Sequence, residues 1–153
     1  MPERRDIPPF QERICENLET GVQRLRQIVE SIYEREKRPV VAVISGKPHT
    51  GKTAFLLRYK GTAPPDKQSE ILTTVGFDGV INHADKLQSG SIRTIIIEDV
   101  TYPIPAENNC LERFNHDLDV YIFIYNPNME NSYSTEQAKR ADIIIINNES
   151  KHK

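Results

Sequence analysis

Hydrophobic residues recur at helical spacing in the first part of the chain. From Phe10 to Lys37 they fall every three or four positions, with Glu, Arg and Gln between them. This is the pattern of an amphipathic helix that buries one face. Pro39 ends it, because proline cannot donate the backbone hydrogen bond that a helix needs. The sequence therefore predicts an N-terminal helix over residues 10–38, after a flexible, proline-rich tail at residues 1–9.

Short, uninterrupted apolar runs follow in place of the helical spacing. Residues 40–44, 120–125 and 143–146 are runs of β-branched and aromatic residues, which are typical of strands covered on both faces in a parallel sheet. Two more strand-like segments, residues 71–83 and 92–99, are separated by a short polar stretch. Because so short a connection leaves no room for a crossover helix, we expect these two strands to be antiparallel.

Helices are predicted between the strands, one beginning at Thr53 and one over residues 134–141, with a mixed loop and helix at residues 102–118. The order of elements predicts an α/β layer sandwich, with a mostly parallel sheet of about five strands and one antiparallel edge strand. The chain has 153 residues, which suits one such domain. We expect this domain at residues 39–150, followed by a short tail at residues 151–153.

Composition adds few constraints. Charged residues make up 27% of the chain and the formal net charge is −2, so we expect neither a nucleic-acid nor an anionic-membrane partner. No apolar run approaches the ~20 residues of a membrane-spanning helix, and no signal peptide or lipidation motif is recognisable. The two cysteines, Cys15 and Cys110, are far apart and are expected to be thiols in a reducing cytosol. These features predict a cytoplasmic protein without a membrane anchor.

A loop with two glycines joins the strand at residues 40–44 to the next helix. Its residues match the Walker A pattern, G-x4-G-K-T, and are Gly46, Lys47, Pro48, His49, Thr50, Gly51, Lys52 and Thr53. Backbone N–H groups in such a loop and the amino-terminal end of the following helix attract phosphate. We expect Lys52 to contact the phosphates of a nucleoside triphosphate and Thr53 to bind Mg²⁺, while the side chains of Lys47 and His49 face solvent. The alternative is an ordinary strand–helix turn with an exposed lysine.

An acidic pair ends the strand predicted over residues 92–99. The apolar run at residues 94–97 is followed by Glu98 and Asp99, as in a Walker B strand. A carboxylate at the carboxyl end of a parallel strand beside the phosphate loop can hold Mg²⁺ through water, and Asp99 is our candidate. Glu98 precedes it, whereas hydrolytic ATPases usually have a glutamate after the aspartate. The alternative is a pair of solvated acids.

Together these segments resemble the small GTPases of the Ras superfamily, in particular Rab- and Arf-like ones, within the larger group of P-loop NTPases. Residues 50–59 are similar to that family's phosphate loop and first helix, residues 74–78 to the end of its switch I, and residues 120–133 to its fourth strand and the turn after it. Asp99 falls where the family's Asp-x-x-Gly motif begins. Asn147 falls where its guanine-reading Asn-Lys-x-Asp motif begins.

The resemblance implies further ligands and partners. Thr74, or Thr73 beside it, would bind Mg²⁺ together with the loop threonine and the acid of the Walker B strand. Asn147 would contact the base of GTP or GDP, with ATP as the alternative ligand. A protein partner is implied at the switch-like surface or at the N-terminal helix.

Two motifs depart from the family. The first reads Asp-Val-Thr-Tyr at residues 99–102, without the glycine that meets the γ-phosphate, and the family's water-positioning glutamine falls near Pro103. The second reads Asn-Asn-Glu-Ser at residues 147–150 and lacks the aspartate that accepts hydrogen bonds from guanine, so discrimination against adenine should be poor. We therefore expect a divergent small-GTPase-like regulatory or scaffold module, at most a slow GTPase, with no assigned catalytic residue.

The final strand and helix of such a GTPase have no counterpart in this sequence. We expect the helix at residues 10–38 to take their place on the sheet, with a dimer or partner contact as the alternative. Two other functions remain open. One is a P-loop phosphotransferase of the nucleoside or nucleotide kinase type, since residues 141–147 resemble a late strand of those enzymes. The other is an interaction module with vestigial nucleotide binding, although the intact Lys52 and Thr53 argue against it.

Overall fold

The computed structural model describes residues 10–75, 90–98 and 119–148. In these ranges the helices are α1 (Phe10–Arg13), α2 (Leu18–Glu36), α3 (Lys52–Gly61), a 3₁₀ helix (Pro65–Glu70) and α4 (Thr135–Arg140). The strands are β1 (Ile14–Cys15), β2 (Val40–Ser45), β3 (Ile71–Val75), β4 (Thr94–Glu98), β5 (Val120–Tyr125) and β6 (Ile143–Ile146). None of the described helices is long and apolar enough to cross a membrane.

Most predicted elements that can be compared are confirmed. The strands predicted at residues 40–44, 120–125 and 143–146 agree with β2, β5 and β6 to within one residue, and so do the helices beginning at Thr53 and at residues 134–141. Other predictions lie outside the described residues: the tails at residues 1–9 and 151–153, the segment 102–118, the second half of the strand over residues 71–83, Cys110 and Asp99.

The six strands form one sheet in the order β1–β6–β5–β2–β4–β3, and every neighbouring pair is parallel. This confirms an α/β fold with a mostly parallel sheet. The predicted antiparallel edge strand is wrong, because β3 runs parallel to β4, with Thr74 opposite Ile97. The described part of the strand predicted over residues 71–83 is β3, Ile71–Val75, and the rest lies outside the described residues. Residues 76–93 separate Val75 from Thr94, and this interval is longer than the roughly dozen residues that a parallel crossover needs.

The continuous helix predicted over residues 10–38 is also wrong. The chain forms α1 and then β1, and α2 begins only at Leu18. Asn17 has an extended backbone, and its side-chain carbonyl accepts a hydrogen bond from the backbone N–H of Thr20 at 2.8 Å, which caps the start of α2. β1 pairs with the middle of β6 and thereby satisfies backbone groups that an open sheet edge would leave unpaired.

Buried side chains line both faces of the sheet. On one face α2 and α3 pack on the strands, with Leu25 and Phe55 in the same cluster as Ile44. On the other face α4 packs on the strands, with Ala138 in the same cluster as Tyr121. The prediction that the N-terminal helical segment packs on its own domain is therefore confirmed, and β1 takes the sheet position beside β6.

Candidate phosphate-binding site

The loop at residues 46–51 lies between the central strand β2 and helix α3. β2 has β4 on one side, where Ile44 pairs with Glu98, and β5 on the other, where Ser45 pairs with Phe123. Because these strands are parallel, their carboxyl ends meet at the edge where the loop lies. From β2 the chain first builds one side of the sheet, with β3 and β4, and then the other, with β5 and β6. Open α/β sheets bind their ligands at such a reversal of strand order.

Three residues of the loop have positive φ angles: Gly46 at 151°, His49 at 70° and Gly51 at 112°. A Cβ atom at Gly46 would lie 2.4 Å from the backbone oxygen of Ile124 in β5. Only glycine therefore lets the loop lie this close to the neighbouring strand. His49 adopts the left-handed conformation at a cost of about 1–2 kcal/mol. Its side chain is exposed, as predicted, and so is that of Pro48.

Lys52 is the first residue of α3, and only 7% of it is exposed. Its ammonium group donates a hydrogen bond from Nζ to the backbone carbonyl of Gly46 at 2.8 Å, so the side chain folds back over the loop. The ammonium group, the backbone N–H groups of the loop and the amino terminus of α3 all place positive charge at the loop, as suits a site for an anion.

Thr53 and Glu98 meet beside the loop. The hydroxyl of Thr53 donates a hydrogen bond to Oε1 of the half-buried Glu98 at 3.0 Å. The sequence prediction chose Asp99, which lies outside the described residues, so its role stays a prediction. Strand alternation could have identified Glu98: Ile96 is buried on the face that α3 covers, and residues two apart in a strand share a face.

Thr50 is buried, and its two hydrogen-bonding groups fix the loop. Its Oγ1 donates to the carbonyl of Lys47 at 2.7 Å, while its own carbonyl accepts a hydrogen bond from Nδ2 of Asn147 at 2.8 Å. Lys47, predicted to face solvent, is half-buried. Asn147 follows β6 directly and is 6% exposed. It thus ties the loop to β6, and its predicted contact with a base stays a prediction.

The remaining predicted metal ligands lie in β3, one strand farther from the loop than β4. Thr74 is buried near the end of this strand, and the Mg²⁺ roles of Thr74 and Thr73 stay predictions. Within the described part of the chain, no three His, Cys, Asp or Glu side chains are grouped so that they could hold a metal between them. Mg²⁺ at nucleotide sites takes one or two protein oxygens and completes its shell with phosphate and water, so Thr53 and Glu98 fit that requirement.

A polar group that sequence reasoning missed lies on the other face of the sheet, under the start of the loop. Ser45 donates a hydrogen bond from Oγ to the phenol oxygen of Tyr121 at 2.8 Å. Gln137 of α4 donates from Nε2 to Ser45 Oγ at 3.2 Å and to the Tyr121 phenol oxygen at 3.3 Å. These three residues are far apart in sequence and belong to no motif, so no local pattern could have indicated that they meet.

Three aromatic rings, here called the aromatic cluster, meet at the carboxyl end of β5. Phe123 stacks on Tyr125 at 5.7 Å between ring centroids, and Tyr133 packs edge-on against them at 5.8 and 4.8 Å respectively. Burial raises the pKa of the Tyr125 phenol, and the neighbouring Tyr133 adds to the shift. Tyr133 itself is 44% exposed. The cluster therefore presents one partly exposed ring beside the loop-bearing edge of the sheet.

A cavity of about 390 Å³ lies away from the loop, among α2, the end of α3 and the amino ends of β3 and β4. The guanidinium of Arg26 lies over the ring of Tyr59 and that of Arg93 over the ring of Tyr33, each at 4.5 Å from the ring centroid. Burial raises the pKa of Tyr59 to about 12. Acidic and basic side chains line this cavity in nearly equal number, so its charge selects no ligand.

Comparison of the chain with family models, curated proteins and solved structures gives no match. The chemistry of the site is therefore inferred from its own residues. They bring a glycine-bearing loop, the ammonium of Lys52 and a helix amino terminus together at the centre of a parallel sheet, an arrangement that could hold an anion. The adjacent hydroxyl and carboxylate of Thr53 and Glu98 could act as oxygen ligands for a divalent cation.

Proposed function

We infer that the loop at residues 46–53 binds the phosphates of a nucleoside triphosphate together with Mg²⁺. The observation that carries this proposal is the 3.0 Å hydrogen bond between the hydroxyl of Thr53 and the carboxylate of Glu98. P-loop NTPases hold the metal of a bound Mg-nucleotide with a loop hydroxyl and an acidic residue from a neighbouring strand. The same pair of groups lies here beside a loop that satisfies the Walker A pattern.

An ordinary strand–helix turn accounts for the loop less well. Such a turn would leave its lysine exposed, whereas Lys52 is buried and bonded to the carbonyl of Gly46. Such a turn also gives no reason for the hydroxyl of Thr53, the residue after Lys52, to contact the carboxylate of Glu98. A bound phosphate would account for both features, because it would accept a hydrogen bond from the ammonium and share a metal ion with the hydroxyl and the carboxylate.

The role that we propose for this site is that of a divergent small-GTPase-like regulatory or scaffold module with weak or no intrinsic hydrolysis. Its support is an intact phosphate loop combined with altered motifs at residues 99–102 and 147–150. Hydrolysis requires an oriented water and charge stabilisation at the γ-phosphate, and the sequence assigns neither role. Since α2 buries its apolar face on its own sheet, a protein partner is proposed for the switch-like segment after β3, not for this helix face.

A P-loop phosphotransferase is the second candidate, and it gains weight from one observation that departs from the small-GTPase pattern. The acid that meets Thr53 is Glu98, one residue before the position at which the small-GTPase resemblance places its metal-binding aspartate. The discriminating assay mixes Mg-ATP with a panel of nucleosides and nucleoside monophosphates. Phosphate transfer to an acceptor faster than release of inorganic phosphate would establish the kinase function and replace the GTPase-like role.

Nucleotide binding is tested by thermal unfolding of the full chain with Mg-GTP or Mg-ATP. A ligand at 100 times its Kd stabilises the folded state by about 2.7 kcal/mol. Lys52→Ala should abolish the shift, while Lys67→Ala, the same change at an exposed residue of the 3₁₀ helix, should preserve it. Competition between the two nucleotides determines the preferred base. The absence of a thermal shift with both nucleotides would contradict the proposal. It would favour the alternative of an interaction module with vestigial nucleotide binding.

The acid that binds Mg²⁺ is tested by comparing Glu98→Gln with Asp99→Asn. If Glu98 holds the metal, its glutamine variant should bind nucleotide equally well with Mg²⁺ and with EDTA, while Asp99→Asn keeps the Mg²⁺ dependence. The glutamine amide can still accept the hydrogen bond from Thr53, so the fold should be preserved. The opposite result would assign the metal to Asp99.

A further inference from the structure

We propose that the exposed ring of Tyr133 is the platform on which the bound nucleotide stacks its base. The ligand is then a nucleotide held by its phosphates in the loop and by stacking at its base. This inference rests on the proposed function and deepens it, because it names the surface that binds the base and the selectivity that follows.

The aromatic cluster and the loop lie at the same carboxyl edge of the sheet, on the neighbouring parallel strands β5 and β2. Gly46, the first residue of the loop, packs so closely on β5 that a Cβ atom would touch the carbonyl of Ile124 at 2.4 Å. The next residue of β5 is Tyr125, whose ring centroid is 4.8 Å from that of Tyr133. A nucleotide with its phosphates in the loop lies at this same edge, and the crevice between β2 and β5 is where the strand order reverses.

Tyr133 has the properties of a stacking surface. Edge-to-face contacts with Phe123 and Tyr125 hold its ring in place, as is favourable for aromatic pairs. The turn before it is fixed by Ser132, whose Oγ donates to the carbonyl of Asn126 at 2.6 Å and accepts from its N–H at 3.1 Å. Tyr133 as a whole residue is nevertheless 44% exposed. An aromatic side chain that is held in place and partly exposed is suited to stack with a base.

The altered base motif agrees with recognition by stacking. Ser150 stands where the small-GTPase resemblance places the aspartate that accepts hydrogen bonds from guanine. A stacking surface accepts different bases, because every base has a π-face. Strong discrimination between bases requires buried hydrogen-bonding groups. The Kd values of Mg-GTP and Mg-ATP should therefore differ by less than about tenfold.

The test is isothermal titration calorimetry of the full chain with Mg-ATP, Mg-GTP and Mg-tripolyphosphate, which has no base. Tyr133→Ala should raise the Kd of both nucleotides by about 5- to 150-fold and leave that of tripolyphosphate unchanged. Tyr133→Phe, which keeps the ring, should bind like the wild type. Leu57→Ala is the matched control, since Leu57 is a large hydrophobic residue on α3 that is 69% exposed.

The outcomes separate this inference from the proposed function. If the wild type binds tripolyphosphate as tightly as the nucleotides, or if Tyr133→Ala binds nucleotides unchanged, the phosphate loop stands and the stacking platform is refuted. If Tyr133→Ala weakens tripolyphosphate and nucleotides equally, the ring acts only on the shape of the loop, and the platform is again refuted. If the wild type binds none of the three ligands, the proposed function itself fails, and the platform fails with it.

Discussion

The substitution Gly51→Ala tests how the phosphate loop is held in its conformation. Gly51 has a φ angle of 112°, and residues other than glycine pay about 1–3 kcal/mol in such sparsely populated regions. The added Cβ would also lie 2.4 Å from Nδ2 of Asn147, so Asn147 must move and its hydrogen bond to Thr50 is lost. A buried carbonyl without a partner costs about 1–3 kcal/mol. We therefore expect a loss of about 2–6 kcal/mol, out of the 5–15 kcal/mol typical of a folded domain.

The assay is urea unfolding of the full chain followed by circular dichroism. Gly61→Ala is the matched control, because Gly61 is the last residue of α3 and a Cβ there would meet nothing within 4 Å. Alanine favours helix over glycine by up to about 1 kcal/mol, so this variant should be as stable as the wild type or slightly more. A Gly51→Ala protein within about 0.5 kcal/mol of the wild type, the usual range of neutral surface changes, would refute the reasoning.

A double-mutant cycle separates the two costs of Gly51→Ala. In an Asn147→Ala background the steric contact and the hydrogen bond to Thr50 are both absent, and only the backbone cost remains. The destabilisation by Gly51→Ala should then be smaller by about 1–3 kcal/mol. An equal destabilisation in both backgrounds would show that the side chain of Asn147 does not support the loop.

Three further predictions concern residues away from the loop. Because the pKa of Tyr59 is raised from 10.0 to about 12 in the folded protein, the unfolded state loses its proton first as the pH rises. The free energy of unfolding should therefore fall by about 2–3 kcal/mol between pH 10 and pH 12. Urea titrations at both ends of this range should show that the Tyr59→Phe variant lacks this fall. An equal fall in both proteins would contradict the prediction. The thiol of Cys15 is buried, and this burial raises its pKa. In a Cys110→Ser variant, Cys15 should therefore react with iodoacetamide only after the protein unfolds. Rapid labelling of the native protein would contradict this prediction. Asp119 accepts hydrogen bonds from Arg38 at 2.8 and 2.9 Å and from a backbone N–H of β2 at 2.9 Å, so Asp119→Ala should cost about 1–3 kcal/mol in urea unfolding, more than Asp119→Asn, which keeps an acceptor; equal losses would refute the role of the hydrogen bonds.

Sequence patterns predicted the central strands well because these strands are apolar on both faces. The run at residues 40–44 or at residues 143–146 looks the same whichever strands flank it, so its identity as a strand does not depend on tertiary contacts. The direction and the length of a strand do depend on tertiary contacts. The pattern placed only a short polar stretch between the strands predicted at residues 71–83 and 92–99, so they were expected to be antiparallel, whereas β3 and β4 are parallel. The interruption of the N-terminal helix was equally hidden, because β1 exists only through its pairing with β6.

The candidate site likewise has a part that the local sequence pattern predicts and a part that depends on tertiary contacts. The position of this loop between a strand and a helix could be predicted from the sequence, because its glycines, lysine and threonine are close together and follow an apolar run, while phosphate binding stays a prediction. The groups that support the loop come from other strands and from α4, so their meeting depends on the sheet order. The contact between Thr53 and Glu98 was within reach, since alternation along β4 places Glu98 on the face of α3. The hydrogen bond from Asn147 to Thr50 could not be predicted in this way, because Asn147 matched a base-binding motif and was assigned to the base.

Under the proposed function, nucleotide binding and hydrolysis should be separable in this protein, and the contacts around the loop give the reason. The loop is supported from three directions: by Glu98 of β4 at Thr53, by Asn147 after β6 at Thr50, and by α4 through Ser45. A ligand that enters a loop already held in shape loses less free energy to ordering, which favours affinity. All three contacts act on the shape of the loop, and the sequence assigns no residue to orienting a water molecule for attack on phosphate. Selection for such a scaffold would preserve nucleotide affinity while the residues of hydrolysis change, so substitutions that loosen the supports should weaken binding even where they touch no phosphate.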